Sequence, residues 1–449
     1  MSPAGPPRSR IALLAFGDFA FNLYWQSIMV FLVFYYTDAL RLPVAAATLT
    51  YAAASIWDGI VSLAAGLFVE RRAIHGYGRY LLIGAVPLGV TFVLAYLPPP
   101  WGGPIALAVV LGGHLLFRTA YAFVNIAYLG MTARISADSG DRGLLTGLRM
   151  LFGTAATVTV ALATHPLGAW ISGAASGPRI YLYAAAAFAA IGTTILLAVG
   201  ALVKEAPLPD RRAAAAPILA GLRSLAGNRA FLAVNAAMIC MIMGVTVLEK
   251  SILYYFKYFV GDEGAGRLAL ASMGALSAIA VPVWVAIARR LGTRAAWLLA
   301  ASLAAGGMAL FAAIDIRGAV ATQGFLIGMQ AAIIGLHFSF WAMLPDTIEY
   351  GEWSTGVRAE GSVFGVAVLL QRIALGLATG LIGAVFAAAG YIADARLSAQ
   401  TLSGMRLAIA LLPFACFALA VLLMLASPLK RGVHARIVDA LARRAPAAP

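Results

Sequence analysis

Ionisable side chains sit in this sequence where they are most costly to keep. Asp18, Asp58, Arg118, Arg149, Glu249, Lys250 and Arg372 all lie inside long apolar runs. A charge at bilayer depth costs about 3 kcal/mol or more unless water, a partner or a proton relieves it. The chemistry open to such groups is limited. A carboxylate can accept hydrogen bonds from hydroxyls, hold a cation, carry a proton or pair with a base. A guanidinium can donate two parallel hydrogen bonds to a diol or an acid. Asp58 is the most enclosed of them, in Ser55-Ile56-Trp57-Asp58-Gly59-Ile60-Val61-Ser62-Leu63, near the middle of a run from about Pro43 to Phe68. Its partner could be a cation such as Arg372 or Lys250.

Polar residues recur at helical spacing around these charges. Asp18, Asn22, Trp25 and Gln26 share one face. Tyr51, Ser55, Asp58 and Ser62 share another, as do His114, Arg118, Tyr121 and Asn125, and Gln323, Gln330, His337 and Trp341. Arg149 stands one turn before Gly153, and Arg372 lines up with Gly376 and Thr379. Neutral members of these stripes can equally pack helix against helix. His114 and His337 can serve as neutral hydrogen-bonding groups. Trp25, Tyr121 and Trp341 offer flat faces for a sugar ring or serve as ordinary core aromatics. Glu249 and Lys250 are adjacent, so they point about 100° apart on a helix. Lys250 falls near the end of its run, where it could snorkel to the interface.

The elements that must position these groups are membrane helices. Of 449 residues, 62% are hydrophobic and 11% charged, against about 25% charged in soluble domains. The mean hydropathy is +0.90. A span needs about 20 apolar residues, and twelve runs qualify: 11–37, 44–69, 79–97, 104–130, 144–172, 179–203, 229–260, 267–288, 294–314, 320–344, 360–391 and 400–427. Arg8 and Arg10 precede an apolar stretch from Ile11 to Tyr36, too long for a signal h-region, so the first run is expected to remain as a span. An even number of spans puts both termini on one side. Gaps on that side carry 21 Lys and Arg and the opposite gaps 7, which assigns the termini to the cytoplasm. The net charge of +14 is scattered among these gaps and forms no stripe for nucleic acid.

The polar stretch 204–228 divides the spans six and six. The organisation expected is an N-terminal bundle over 1–203, a cytoplasmic linker over 204–228, a C-terminal bundle over 229–427 and a cytoplasmic tail over 428–449. Basic gaps at matched positions, Glu70-Arg71-Arg72 and Arg289-Arg290, suggest an internal duplication with a substrate cavity between the halves. Cys240 and Cys416 lie inside apolar runs and imply no disulfide or metal framework. The sequence has no Gly-x-Ser-x-Gly elbow, no His-Glu-x-x-His, no Walker A motif and no Cys-x-x-Cys. That points away from an enzyme and from ATP-driven transport.

The segment Met343-Leu-Pro-Asp346-Thr-Ile-Glu349-Tyr350-Gly351-Glu352-Trp353-Ser-Thr-Gly356-Val-Arg358-Ala-Glu360-Gly361 is distinctive. It resembles the loop 10–11 signature of the glycoside–pentoside–hexuronide:cation symporters, the melibiose-permease branch of the major facilitator superfamily. Phe364-Gly365-Val366, Gln371-Arg372, Tyr35-Tyr36-Thr37-Asp38, Ile56-Trp57-Asp58, Asp141-Arg142, Arg149, Tyr254-Tyr255-Phe256 and Gly261-Asp262 extend the match over nearly the whole chain. The resemblance implies an all-α membrane protein with twelve transmembrane helices, the major facilitator fold, and two pseudo-symmetric six-helix halves around a central cavity. It also implies secondary transport of a glycoside, uronide or related small solute across a bacterial inner membrane by alternating access. A related branch carries lysophospholipids, which keeps an amphipathic substrate in view, as do an uncoupled facilitator and a non-transporting sensor.

By that resemblance Asp18 and Arg149 match two sugar-binding positions, and Asn125 stands where an acid is usual. Asp58 matches one of two cation-site acids, but the second is Ser62, the intervening Asn is Val61, and a Thr ligand is Ala122. One carboxylate and one hydroxyl make a poor sodium site. One carboxylate in a partly dry cavity makes a reasonable proton site. The expected substrate set is therefore Asp18, Asn22, Trp25, Tyr121, Asn125, Arg149, Trp341 and Arg372, with Asp58 and Ser62 coupling to H⁺ and not to Na⁺. Arg118, Glu249, Lys250 and His337 are the remaining cavity charges. Three acids against four bases favour an anionic or zwitterionic solute. No cofactor or metal is expected, and the protein is expected to act as a monomer in the bilayer.

Overall fold

The computed structural model describes residues 7–444 except 73–75, 134, 136–138, 175, 204–217, 315, 317, 358–359, 394, 396 and 431. The first part of the expected linker and Arg358 of the loop signature lie outside them, as do the side chains of Glu70, Arg71, Arg72, Asp141, Arg142 and Glu360. Among the described residues every regular element is helical.

Six long helices come first: α1 (Arg8–Phe34), α2 (Val44–Arg72), α3 (Gly78–Ala95), α4 (Gly103–Ala133), α5 (Ser139–Ser172) and α6 (Pro178–Leu202). A short helix, α7 (Ile218–Gly227), follows. Then come α8 (Arg229–Tyr255), α9 (Glu263–Leu291), α10 (Thr293–Ala313), α11 (Ala319–Met343), the short α12 (Asp346–Thr355), α13 (Glu360–Ala388), α14 (Ala399–Leu425) and the tail helix α15 (Val433–Arg444). Eleven of these are long and apolar enough to cross a bilayer, and α9, bent by 44° between Leu276 and Ile279, makes a twelfth if counted as one span. Pro282 accounts for that bend, because it lacks the N–H that would bond back one turn and its ring crowds that carbonyl. Hydrocarbon offers no hydrogen bonds, so a backbone inside it must satisfy itself within each helix.

The chain forms two compact units. Unit 1 comprises 1–209, 249–278 and 379–405, and unit 2 comprises 210–248, 279–378 and 406–449. In unit 1, α1 packs against α5 and α6, and α4 against α2 and α3. Buried tyrosines fix these packings. Tyr24 Oη lies 3.1 Å from Thr193 Oγ1, and Tyr96 donates to the Ser27 carbonyl at 2.7 Å. Each such bond contributes about 1 kcal/mol net. Gly192 gives Tyr24 its place: a Cβ there would stand 2.7 Å from the ring.

α1 and α8 both end in a single π turn, Tyr35–Ala39 and Phe256–Val260. These are the first spans of the two sequence halves, so the shared irregularity is a structural echo of the suspected duplication. π turns insert one residue per turn and collect at functional sites.

In unit 2 the signature segment is α12. Asp346 and Glu349 occupy its first turn, where the positive end of the helix dipole suits them. His434 of α15 lies between them, at 3.6 and 3.7 Å. Asn228 caps α8 by accepting from the Phe231 N–H at 2.9 Å, and it donates to the Thr347 carbonyl at 2.7 Å.

Candidate functional site

Asp18 on α1 stands at the centre of the first constellation. Arg149 of α5 pairs with it through both Nε and Nη2, a two-point contact that fixes the plane of the guanidinium. Tyr128 of α4 brings its hydroxyl 2.7 Å from Asp18 Oδ2 and 2.8 Å from the Leu14 carbonyl. The Arg149 guanidinium also lies 5.7 Å over the Tyr128 ring. Asn22, one turn along α1, donates to the Asp18 carbonyl at 2.8 Å and abuts Gly153 of α5. Three helices thus deliver an acid, a guanidinium, a phenol and an amide to one place. The acid can accept from hydroxyls, and the guanidinium can donate to vicinal oxygens. Arg149 is 27% and Asp18 15% exposed, so the group remains reachable.

Tyr128 was not among the sequence candidates. The resemblance places an aromatic one residue later, at Leu129, which is 42% exposed and turned away. The signal was present: Tyr128 continues the stripe of Tyr121 and Asn125 at helical spacing. Gly17 lets it reach Asp18, since a Cβ at Gly17 would lie 2.5 Å from the Tyr128 ring. Gly17→Ala is expected to push the phenol off Asp18 and raise the KM for transported solute by about tenfold, with protein yield little changed, as overpacking displaces neighbours before it unfolds a chain. An unchanged KM would show that Tyr128 does not order the site.

Asp58 is 1% exposed and pairs with Arg118 of α4, which is 0% exposed, through Oδ2 and Nη1 at 3.4 Å. The sequence had offered Arg372 and Lys250 as partners and had not offered Arg118. Lys250, 6% exposed, does not run to the interface. Its ammonium donates to the Met29 carbonyl and sits 4.0 Å over the Tyr51 ring. Arg118 Nε donates to His114 Nε2 at 3.1 Å, and its guanidinium lies 4.8 Å over Trp25 and 5.6 Å over Tyr51. Ser55 donates to the Tyr51 carbonyl at 2.9 Å within its own helix, and Ser62 is half-buried one turn beyond Asp58.

Trp25 and Tyr121 contact each other at 5.4 Å, and Asn125 is half-buried a turn further along α4. Glu249 is half-buried. Trp341, 43% exposed, and His337, with Nδ1 3.1 Å from the Ile333 carbonyl, lie with Arg372 in unit 2.

A third constellation escaped the sequence candidates. Asp38, in the π turn after α1, takes Lys257 Nζ at 2.6 Å and Tyr258 Oη at 2.9 Å on Oδ1. Its Oδ2 takes Tyr391 Oη at 2.9 Å and Thr37 Oγ1 at 2.7 Å. The motif Tyr35-Tyr36-Thr37-Asp38 was visible, but the residues that meet it lie more than 200 positions away.

A helical chain with eleven or twelve candidate spans and ion pairs inside them is a polytopic membrane protein. The chain belongs to the MFS/sugar transport protein family, whose model matches residues 13–431, and this is a family of transporters, not of enzymes. It is 25% identical to an isoprimeverose transporter of Lactiplantibacillus pentosus, covering 91% of this chain and 86% of that one. It is 25% identical to a putative sulfoquinovose importer of Escherichia coli K12, covering 93% and 89%. A glucuronide carrier protein homolog of the same organism is 24% identical, covering 88% and 87%. The D-xylose–proton symporter structure superposes with a TM-score of 0.68 at 15% identity over 93% of this chain and 97% of that one, which shows a shared fold.

Proposed function

We propose that the protein is a proton-coupled secondary carrier for a small acidic glycoside, working by alternating access as a monomer in a bacterial inner membrane with both termini in the cytoplasm. The observation that carries the reading is the Asp18–Arg149–Tyr128 group. A carboxylate and a guanidinium locked face to face, with a phenol and an amide beside them, are the donors and acceptors that a ring of hydroxyls needs. The acidic character of the solute rests on the excess of intramembrane bases and on Arg118 and Lys250 standing over one aromatic ring. Relatives named for glucuronide and sulfoquinovose are in keeping with it. Proton coupling rests on Asp58 being the single acid of its helix face. Sodium requires several oxygen ligands, and Arg118 already holds this carboxylate.

Purified protein in proteoliposomes is expected to exchange a labelled glycoside uronide or sugar sulfonate in counterflow and to accumulate it under an inward proton gradient. Sodium at fixed pH is expected to leave the rate unchanged. Steep sodium stimulation would overturn the coupling ion, and no exchange with any glycoside, neutral or acidic, would overturn the carrier.

A further inference from the structure

Phe21 carries no polar atom and belongs to none of the candidate sets, yet it lies between two of them. It follows Asp18 by three residues and precedes Trp25 by four on α1, and it is 2% exposed. Its ring touches two tyrosines of α4. The Tyr128 ring lies 4.9 Å away, and the Tyr121 ring 5.7 Å away, edge-on at 90°. α4 passes α1 in the opposite sense: Tyr128 meets Leu14 and Asp18, whereas Tyr121 meets Phe21 and Trp25. Phe21 is thus lodged between the polar group at Asp18 and the aromatic pair at Trp25.

The Tyr128 hydroxyl makes the position of its ring matter. A phenol carries one hydrogen, and this one faces two acceptors at nearly equal distance, Asp18 Oδ2 at 2.7 Å and the Leu14 carbonyl at 2.8 Å. The carboxylate is the stronger acceptor, but it prevails only while the ring keeps the oxygen on the Asp18 side. Three neighbours set that position. Gly17 leaves room on one side, where a Cβ would stand 2.5 Å from the ring. The Arg149 guanidinium lies 5.7 Å over the ring. Phe21, one turn beyond Gly17, bears on the ring from the next turn of α1. Phe21 is itself seated by Tyr121, and Tyr121 by Phe117 at 5.7 Å. Tilted and edge-on ring pairs at such distances are attractive and directional, so they resist rotation as well as compression.

We propose that Phe21 is a positioning residue of the solute site: it holds the Tyr128 phenol on Asp18 and, through Asp18, fixes the Arg149 fork that meets the solute. This rests on the carrier reading above. Phe21 acts through another side chain and not by contact with the solute. A phenol that slips toward Leu14 takes a hydrogen bond from Asp18 and frees the carboxylate and the guanidinium to turn together. Hydroxyl recognition needs those donors and acceptors held to within about 0.5 Å. A residue that only packs the core changes yield and thermal stability in proportion to the volume removed. A positioning residue changes affinity, and its effect vanishes once the hydroxyl it positions is gone.

The test is counterflow of phenyl β-D-glucuronide by the full-length protein in proteoliposomes, with thermal stability measured on the same preparations. Phe21→Leu is expected to raise KM by about tenfold and to leave the maximal rate within about twofold of wild type, the pattern of lost binding. Phe21→Met is expected to restore KM to within about threefold, because a thioether fills the space and still contacts both rings. Tyr128→Phe alone is expected to raise KM by about tenfold, and adding Phe21→Leu to it by less than about twofold more, since residues acting through one group are not additive. Phe21→Ile fills the site with the same number of atoms and gives the same comparison if Phe21→Leu does not fold. An unchanged KM in the folded Phe21 variant, or a double variant near hundredfold, overturns the positioning role and leaves the carrier standing. No exchange of any glycoside by wild type overturns the carrier and the positioning role with it.

Discussion

Replacing Arg118 by methionine is expected to cost about 3–5 kcal/mol of stability, whereas replacing Asp58 by leucine and Arg118 by methionine together costs about 1 kcal/mol or less. The asymmetry follows from burial. With 1% and 0% exposure, neither side chain has water to fall back on. Removing the guanidinium takes an opposite charge away from a carboxylate that is 1% exposed. Removing both leaves a volume that leucine and methionine fill at little loss, because the pair's mutual attraction mainly repays its own desolvation. His114 sharpens the expectation, for it loses the donor to its Nε2 in both variants and so cancels from the comparison. The measurement is a double-mutant cycle on reversible unfolding in mixed micelles, with Asp58→Leu as the fourth corner. A coupling near zero would mean that water reaches the pair, and the enclosure argued for Arg118 would fall. The same double variant is expected to lose transport even though it folds, which separates the pair's role in function from its role in stability.

What the sequence could and could not reveal divides along physical lines. Span positions were legible because a bilayer demands long apolar runs whatever the tertiary arrangement. Thus 229–260 was read as one run, and α8 with its π turn covers the same residues. Residues on one helix face were legible for the same reason: Asp18 with Asn22, and His114 with Arg118, are one turn apart and touch. Partners on different helices were not. Helical periodicity fixes which residues share a side of α2 or α4, but not that the side of α2 bearing Asp58 meets the side of α4 bearing Arg118. Lys250 shows the limit from the other direction. Its position near a span end allowed snorkelling, and only the aromatic face of Tyr51 and the Met29 carbonyl, both remote in sequence, explain why it turns inward. The π turns had no counterpart among the expectations from sequence.

Those π turns lead to the second large effect. Asp38→Ala is expected to quicken amide exchange over Tyr35–Ala39 and Phe256–Val260 by at least about tenfold and to lower the maximal transport rate by a similar factor, with solute affinity changed far less. Four donors converge on the Asp38 carboxylate, from Thr37 beside it, from Lys257 and Tyr258 in the other π turn, and from Tyr391 after α13. Thr37 in turn lies 2.8 Å from Tyr254 Oη. Hydrogen bonds to a buried carboxylate contribute about 1.5–3 kcal/mol each. Losing even one or two of them shifts a two-state balance by tenfold or more. Segments 249–278 and 379–405 come from the second half of the sequence, yet their contacts group with the first six helices. The expectation for transport assumes that this junction opens and closes during the cycle. Asp38→Ala removes the group on which these donors converge, so it loosens the junction without touching Asp18 or Arg149. Lys257→Met provides the control. It deletes one donor and leaves the three hydroxyl donors, so its effect on exchange should be the smaller of the two. Equal effects would place the whole contribution in the ion pair. Unchanged exchange in Asp38→Ala would mean that apolar packing of Tyr254, Phe386 and Tyr391 holds the junction without the carboxylate.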